Sequence, residues 1–176
     1  MIFQRRVPDL SELALTRFLS RARRAASLKG SVDVLVTSSR EMQSLNRRFR
    51  GKDEVTDVLS FPAGNEARKK FAGEIAISAE IAMESARELG HRAADEVKIL
   101  VLHGLLHLRG YDHERDDGEM ARRERQLRVR LGLPSGLIER SAMDRSVENA
   151  GRRRAKPRLY ERDVTAAKTR VRRKKT

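Results

Sequence analysis

The sequence predicts an α+β fold in which a small mixed β-sheet is covered by helices. Three observations carry that prediction. Short runs rich in β-branched and aromatic residues (SVDVLVT, TDVLSF and FAGEIAIS) stand among longer stretches with helical spacing of apolar residues. The elements come in the order helix, strand, helix, strand, strand, helix, helix, helix, which suits a small mixed sheet with helical cover. At 176 residues the chain is one domain by length and has enough sequence to bury a core.

Residues 9–28 place Leu10, Leu13, Ala14, Leu15, Phe18, Leu19, Ala22, Ala25 and Ala26 at helical spacing, with Pro8 before them and Asp9 or Ser11 able to cap. The arginines at 17, 21, 23 and 24 lie mainly off that stripe and read as a solvated face. Ser31 to Thr37 alternates as a strand should. Ser38-Ser39 then caps a helix from Arg40 to Phe49, with Met42, Leu45 and Phe49 expected to face inward. Arg50 to Asp53 is a turn. Thr56 to Phe61 reads as a second strand stopped by Pro62, residues 63–70 as a loop, and Phe71 to Ser78 as a third strand. Ala79 to Leu89 is a helix ended by Gly90.

The next helix opens at Ala93 or Asp95 and presents Val97, Leu100, Val101, Gly104, Leu105 and Leu108 to the core. Gly104 within it costs about 1 kcal/mol relative to Ala, which implies either close packing of another element or space kept beside a site. His91 precedes this helix and reads as a surface or capping residue. A last helix is expected from Glu114 to Leu131, starting in an acidic turn that suits the helix dipole.

Charge and composition narrow the partners. The chain carries 39 Lys and Arg against 25 Asp and Glu, a formal charge of +14, so a polyanion is the natural partner, nucleic acid ahead of an anionic membrane surface. The excess is uneven: residues 1–139 hold 25 basic and 21 acidic side chains, and residues 140–176 hold 14 and 4. The chain therefore divides into a domain over 1–139 and a basic tail over 140–176, poor in apolar residues and expected to be disordered alone. That tail suits contact with RNA phosphates, or serves as a solubilising extension. No Cys is present, which excludes disulfides and thiolate ligands and fits a cytoplasmic location. Neither a signal-peptide apolar run nor a membrane-length one is found, so no membrane association is expected.

The chemistry concentrates in VLHGLLHLRGYDH, residues 101–113. His103 and His107 are one turn apart on one helix face. Gly110 lets the chain leave the helix through a left-handed cap, and His113 can then fold back toward the other two. Three imidazoles without a fourth protein ligand describe an open metal site, for which zinc, one ion per chain, is the first expectation. The bland alternative is a set of helix-face histidines paired with carboxylates. The same spacing occurs in metzincin proteases, but their general-base glutamate is replaced here by Gly104, which cannot move a proton.

The histidine stretch, with LNRRFRGKDEVTDVLSFP (45–62) and GEIAIS (73–78), resembles the YbeY family of bacterial endoribonucleases over about residues 31–131. Glu74 stands where that family usually has Asp. The resemblance implies that His103, His107 and His113 are zinc ligands and that Arg50 takes the place of a functionally important arginine. It also implies single-strand-specific, metal-dependent RNA cleavage in maturation of the 16S rRNA 3′ end and in ribosome quality control. The partners would be single-stranded RNA, rRNA and the ribosome or its small subunit, with no DNA. The chemistry is compatible: zinc acidifies water to a pKa near ~7 without a strong protein base, and a guanidinium stabilises charge on the phosphorane. Attack by water and attack by the 2′-hydroxyl both remain open. Glu96, Asp112, Asp57 and Glu74 are candidates for orienting the imidazoles, or are simply strand-end and cap carboxylates. Two rival functions stand beside this one, a non-catalytic ribosome-assembly factor with a structural zinc and, less favoured, a metalloprotease.

Overall fold

Four strands and five helices form among the residues that the computed structural model describes, which are 1–64, 70–113 and 115–134. The strands are β1 (Ile2–Phe3), β2 (Ser31–Thr37), β3 (Val58–Pro62) and β4 (Phe71–Ser78), in the spatial order β1-β2-β4-β3. β1 runs parallel to β2 and β2 parallel to β4, whereas β3 is antiparallel to β4. The sheet is therefore small and mixed, as predicted. The helices are α1 (Glu12–Ala25), α2 (Ser39–Arg50), α3 (Ala79–Leu89), α4 (Ala93–Arg109) and α5 (Glu119–Leu131). Residues 140–176, and with them the predicted tail, lie outside the described residues.

Serine side chains start three of these helices. Ser11, Ser38 and Ser78 each accept a hydrogen bond from the backbone N–H three residues on, at 3.1, 3.3 and 3.2 Å. Each satisfies one donor that the first helical turn leaves open.

Three boundaries differ from expectation. β1 was not foreseen. The second predicted strand begins at Val58 rather than Thr56 and includes Pro62, which an edge strand tolerates because, among the described residues, one side of its backbone has no sheet neighbour. The last helix begins at Glu119 instead of Glu114. Gly118 interrupts it with a left-handed φ of +80°, and the Asp116 carboxylate accepts from the N–H groups of Gly118 and Met120 at 2.8 and 2.9 Å. Those bonds hold the Asp116 carboxyl below the usual carboxylate range.

Alternation along the strands sorts their side chains onto two faces. Val32, Val34, Val36, Ile75 and Ile77 belong to the main core with residues of α1, α3 and α4. Leu59 and Ala76 point the other way, against Met42 of α2, with Leu35, Leu45 and Phe61 partly buried around them. This second layer is thin. Phe49 was expected to face inward, but it meets this patch only at its margin, edge-on to Phe61, and is 55% exposed.

α4 is the buried axis of the molecule. Its predicted stripe faces the sheet, and Leu102 and Leu106 on another face pack with Ala26, Met120 and Leu127 of the α1 end and α5. Val97, Ile99, Leu100, Val101, Leu102, Leu105 and Leu106 are all at 0% exposure, each contributing about 1.5–3 kcal/mol of gross burial. Gly104 sits where the helix meets the sheet. A Cβ there would lie 2.9 Å from Ile75 Cδ1 and 3.0 Å from Ser60 Oγ, so close packing is the reason for the glycine.

Candidate metal centre

His103 and His107 project from the last two turns of α4. The helix then closes on Gly110, left-handed at φ +104°, whose N–H bonds to the His107 carbonyl at 2.9 Å while Tyr111 N–H reaches the Leu106 carbonyl at 3.0 Å. This glycine-dependent exit turns the chain back and brings His113 over the helix. The three rings have centroids 4.7, 5.3 and 5.3 Å apart, and one nitrogen from each lies within 4.8 Å of the others. The three sequence-predicted histidines are thus together, and the cluster can hold a metal ion.

Hydrogen bonds on the outer ring nitrogens select the tautomers. His103 Nδ1 lies 3.0 Å from Glu124 Oε2, and His107 Nδ1 lies 3.1 Å from the Tyr111 carbonyl oxygen. Each acceptor requires the proton on Nδ1, which leaves both Nε2 atoms bare and facing one another at 3.1 Å. Two lone pairs at that separation repel unless a cation sits between them. Zinc–nitrogen bonds of about 2.0–2.1 Å in a tetrahedron would put two ligand nitrogens roughly 3.3 Å apart, so the pair fits such an ion. Burial, reinforced by the neighbouring His103 and His113, pushes the His107 pKa down to about 4 and keeps the ring in its neutral, ligating form.

Glu124 was missed by sequence reasoning. Only 2% exposed, it accepts from His103 with one oxygen, while the other is held by the Arg128 guanidinium, Nε at 2.8 Å. Burial alone raises its carboxyl, but His103 and Arg128 outweigh burial and hold it below the ordinary value. A carboxylate behind a ligand histidine fixes the ring's orientation and increases its basicity. The available signal was positional: Met120, Glu124 and Leu127 share one helical stripe, and an acid on an apolar stripe requires a partner.

The carboxylates singled out from sequence go elsewhere. Glu96 is buried and hydrogen-bonded to His91 Nε2 at 2.7 Å, so His91 is a half-buried partner and not a surface residue. Asp57 accepts from the N–H of Val58 at 2.8 Å, as a strand-end residue. Glu74 is exposed, and alternation with Ile75, which meets Gly104, puts it on the face away from α4. Asp112 pairs with Arg115 at 3.4 Å and is near enough to oppose the lowering of the His107 pKa.

Arg50 ends α2, exposed, and its guanidinium donates to the Ser60 carbonyl oxygen of β3 at 3.0 Å. Ser60 Oγ in turn donates to the Gly104 carbonyl of α4 at 3.4 Å, next in the chain to His103. The arginine is thereby tied through one strand residue to the helix that carries the histidines.

The family model described as Endoribonuclease YbeY matches residues 4–132. The chain is similar to the Endoribonuclease YbeY of Koribacter versatilis, 56% identical over 141 residues, covering 80% of this chain and 91% of that protein. It is also similar to the Endoribonuclease YbeY of Solibacter usitatus, 46% identical over 138 residues and covering 78% and 91%. The solution structure of TM1509 from Thermotoga maritima, 32% identical, superposes with a TM-score of 0.50 over 70% of this chain and 85% of that one. The chain belongs to the YbeY family of endoribonucleases.

Proposed function

We propose that this chain is a zinc-dependent endoribonuclease. It would cut single-stranded RNA in maturation of the 16S rRNA 3′ end and in ribosome quality control, working in the cytoplasm on the ribosome or its small subunit. His103, His107 and His113 hold the ion and Arg50 is the catalytic arginine. The observation that carries the reading is the pair of bare Nε2 atoms 3.1 Å apart with both Nδ1 protons engaged. When bound, zinc supplies a Lewis acid for a phosphoryl oxygen and acidifies water. The chain's own residues do the rest. Glu124 and the Tyr111 carbonyl orient two imidazoles, and the Ser60 carbonyl steadies the Arg50 guanidinium. Arg50 keeps further donors for the non-bridging oxygens of the scissile phosphate. Peptide hydrolysis is disfavoured on geometry: a side chain at position 104 would run into Ile75 and Ser60.

The test is cleavage of a single-stranded RNA by the native chain and by His107→Ala, with circular dichroism and metal content measured on both. The expected result is a folded, metal-poor variant that does not cut. A native chain that binds rRNA without cutting it would replace this reading with the assembly-factor one.

A further inference from the structure

A chain with 5 Phe, 2 Tyr and no Trp has few large aromatics to spare, yet Phe49 stands 55% exposed at the end of α2. Its ring is not isolated. Phe61 of β3 meets it edge-on, centroids 5.2 Å apart, and the Arg48 guanidinium lies over it at 5.2 Å from the centroid. Phe61 is partly buried against Met42, Leu59 and Ala76, so it anchors the pair to the sheet. Arg48 is one of four exposed cations in the adjoining sequence, with Arg47, Arg50 and Lys52, and the acids Asp53 and Glu54 follow them. Phe49 also immediately precedes Arg50, the arginine bound to the Ser60 carbonyl beside α4.

We propose that Phe49 is a stacking platform for one unpaired RNA base, with Phe61 as its support. The proposal rests on the reading of the chain as a nuclease for single-stranded RNA, and it names how that strand is held. Every base has a π-face, and an exposed ring in a cationic setting binds it while the cations take the adjoining phosphates. The base takes the place on the ring that Arg48 holds in the free protein, and the displaced guanidinium turns to the neighbouring phosphate. Duplex RNA has its bases stacked and paired, so it offers nothing to this ring. The platform therefore selects single strands. Charge argues against a peptide as occupant unless that peptide were acidic, and the test includes that outcome.

The test uses metal-loaded full-length protein and strands made with 2′-O-methyl phosphorothioate linkages that resist cutting, so that binding is read without cleavage. The probes are a labelled single-stranded RNA, the same strand with abasic sites, an RNA duplex and an acidic peptide, followed by fluorescence anisotropy. Phe49→Leu keeps apolar bulk and removes the ring; Phe49→Trp restores one. We expect Phe49→Leu to weaken single-strand binding roughly 5- to 150-fold, the span measured for aromatic–base stacking. Phe49→Trp should retain binding, and neither variant should change duplex or abasic-strand binding. Arg48→Ala should lower the salt dependence by about 0.7 in log–log slope, as loss of one phosphate contact does. A 2-aminopurine in the strand should be quenched by the native chain and not by Phe49→Leu. Equal binding of intact and abasic strands, no RNA binding at all, or a Phe49-dependent affinity confined to the acidic peptide would each overturn the proposal. Phe49-dependent binding without cleavage of the unmodified strand would leave the platform standing and remove the nuclease reading. Cleavage that is indifferent to Phe49 would do the reverse.

Discussion

Glu124 offers the sharpest test of how the metal centre is built. It bridges His103 Nδ1 and the Arg128 guanidinium, and all three side chains are at most 7% exposed. Glu124→Gln keeps the volume but removes the charge that both neighbours use. Two effects follow, of different size and in different observables. Leaving Arg128 buried opposite a neutral amide resembles breaking a buried ion pair, which costs about 3–5 kcal/mol when one partner is lost. In a domain of this size that lowers the melting temperature by roughly 6–20 °C. The second effect is on the ion: loss of the group that orients a ligand histidine weakens metal affinity about 10- to 100-fold. The double variant Glu124→Leu/Arg128→Met separates them. Replacing the whole buried pair by apolar residues is close to neutral for stability, so melting should recover while metal affinity stays low. Competition with a chromophoric chelator gives the affinity and calorimetry gives the melting temperature. A double variant that binds zinc as tightly as the native chain would refute the argument, because Glu124 would then orient nothing.

Other consequences can be checked more briefly. Arg50→Ala should stay folded and lose about 10²–10³-fold in turnover, in line with removal of one donor to a developing oxyanion; Arg50→Lys should recover little, lacking the planar fork. His107 is held at about 4 against an ordinary 6.5, so as pH falls below about 6.5 the unfolded chain takes up its proton before the folded one does. Metal-free protein should therefore lose stability between about pH 6.5 and 4, seen as a falling urea midpoint, and His107→Gln should flatten that slope. Gly73→Ala should cost more than Gly104→Ala. At 73 the Cβ would stand 2.3 Å from the Phe61 carbonyl oxygen with φ at +146°, whereas at 104 the nearest atom is the end of the Ile75 side chain. Strain and overpacking of about 1–3 kcal/mol each add at 73, while at 104 a helix gain of about 1 kcal/mol offsets the crowding. Urea titration of both variants ranks them, and equal midpoints would sink the distinction.

Periodicity made most of the fold legible, because the sheet and α4 bury one-sided patterns that a sequence displays directly. β1 was invisible for the opposite reason: Ile2–Phe3 has two residues and pairs with Leu35 and Val36 only through the folded sheet. Phe49 continues the spacing of Met42 and Leu45, yet the patch of Leu59 and Ala76 ends before it, and no local pattern reports where a neighbouring sheet stops. The histidines were readable since two are fixed by a helical turn and the third by a glycine exit. Glu124 was hidden in RRERQLRVR, where an acid among arginines looks like a surface pair. Its role exists only once α5 is laid against α4.

Two of the three histidines stand on α4, whose packing involves nearly the whole core, while His113 stands on the turn beyond Gly110, held by backbone bonds at the helix end. An ion held by all three would therefore be bound across the helix and the turn. Opening of the short turn would release one of the three histidines and leave the other pair in place, so that metal would enter and leave a folded molecule. Residence time of such an ion would be set by the turn, and core substitutions that change global stability should leave the exchange rate almost untouched.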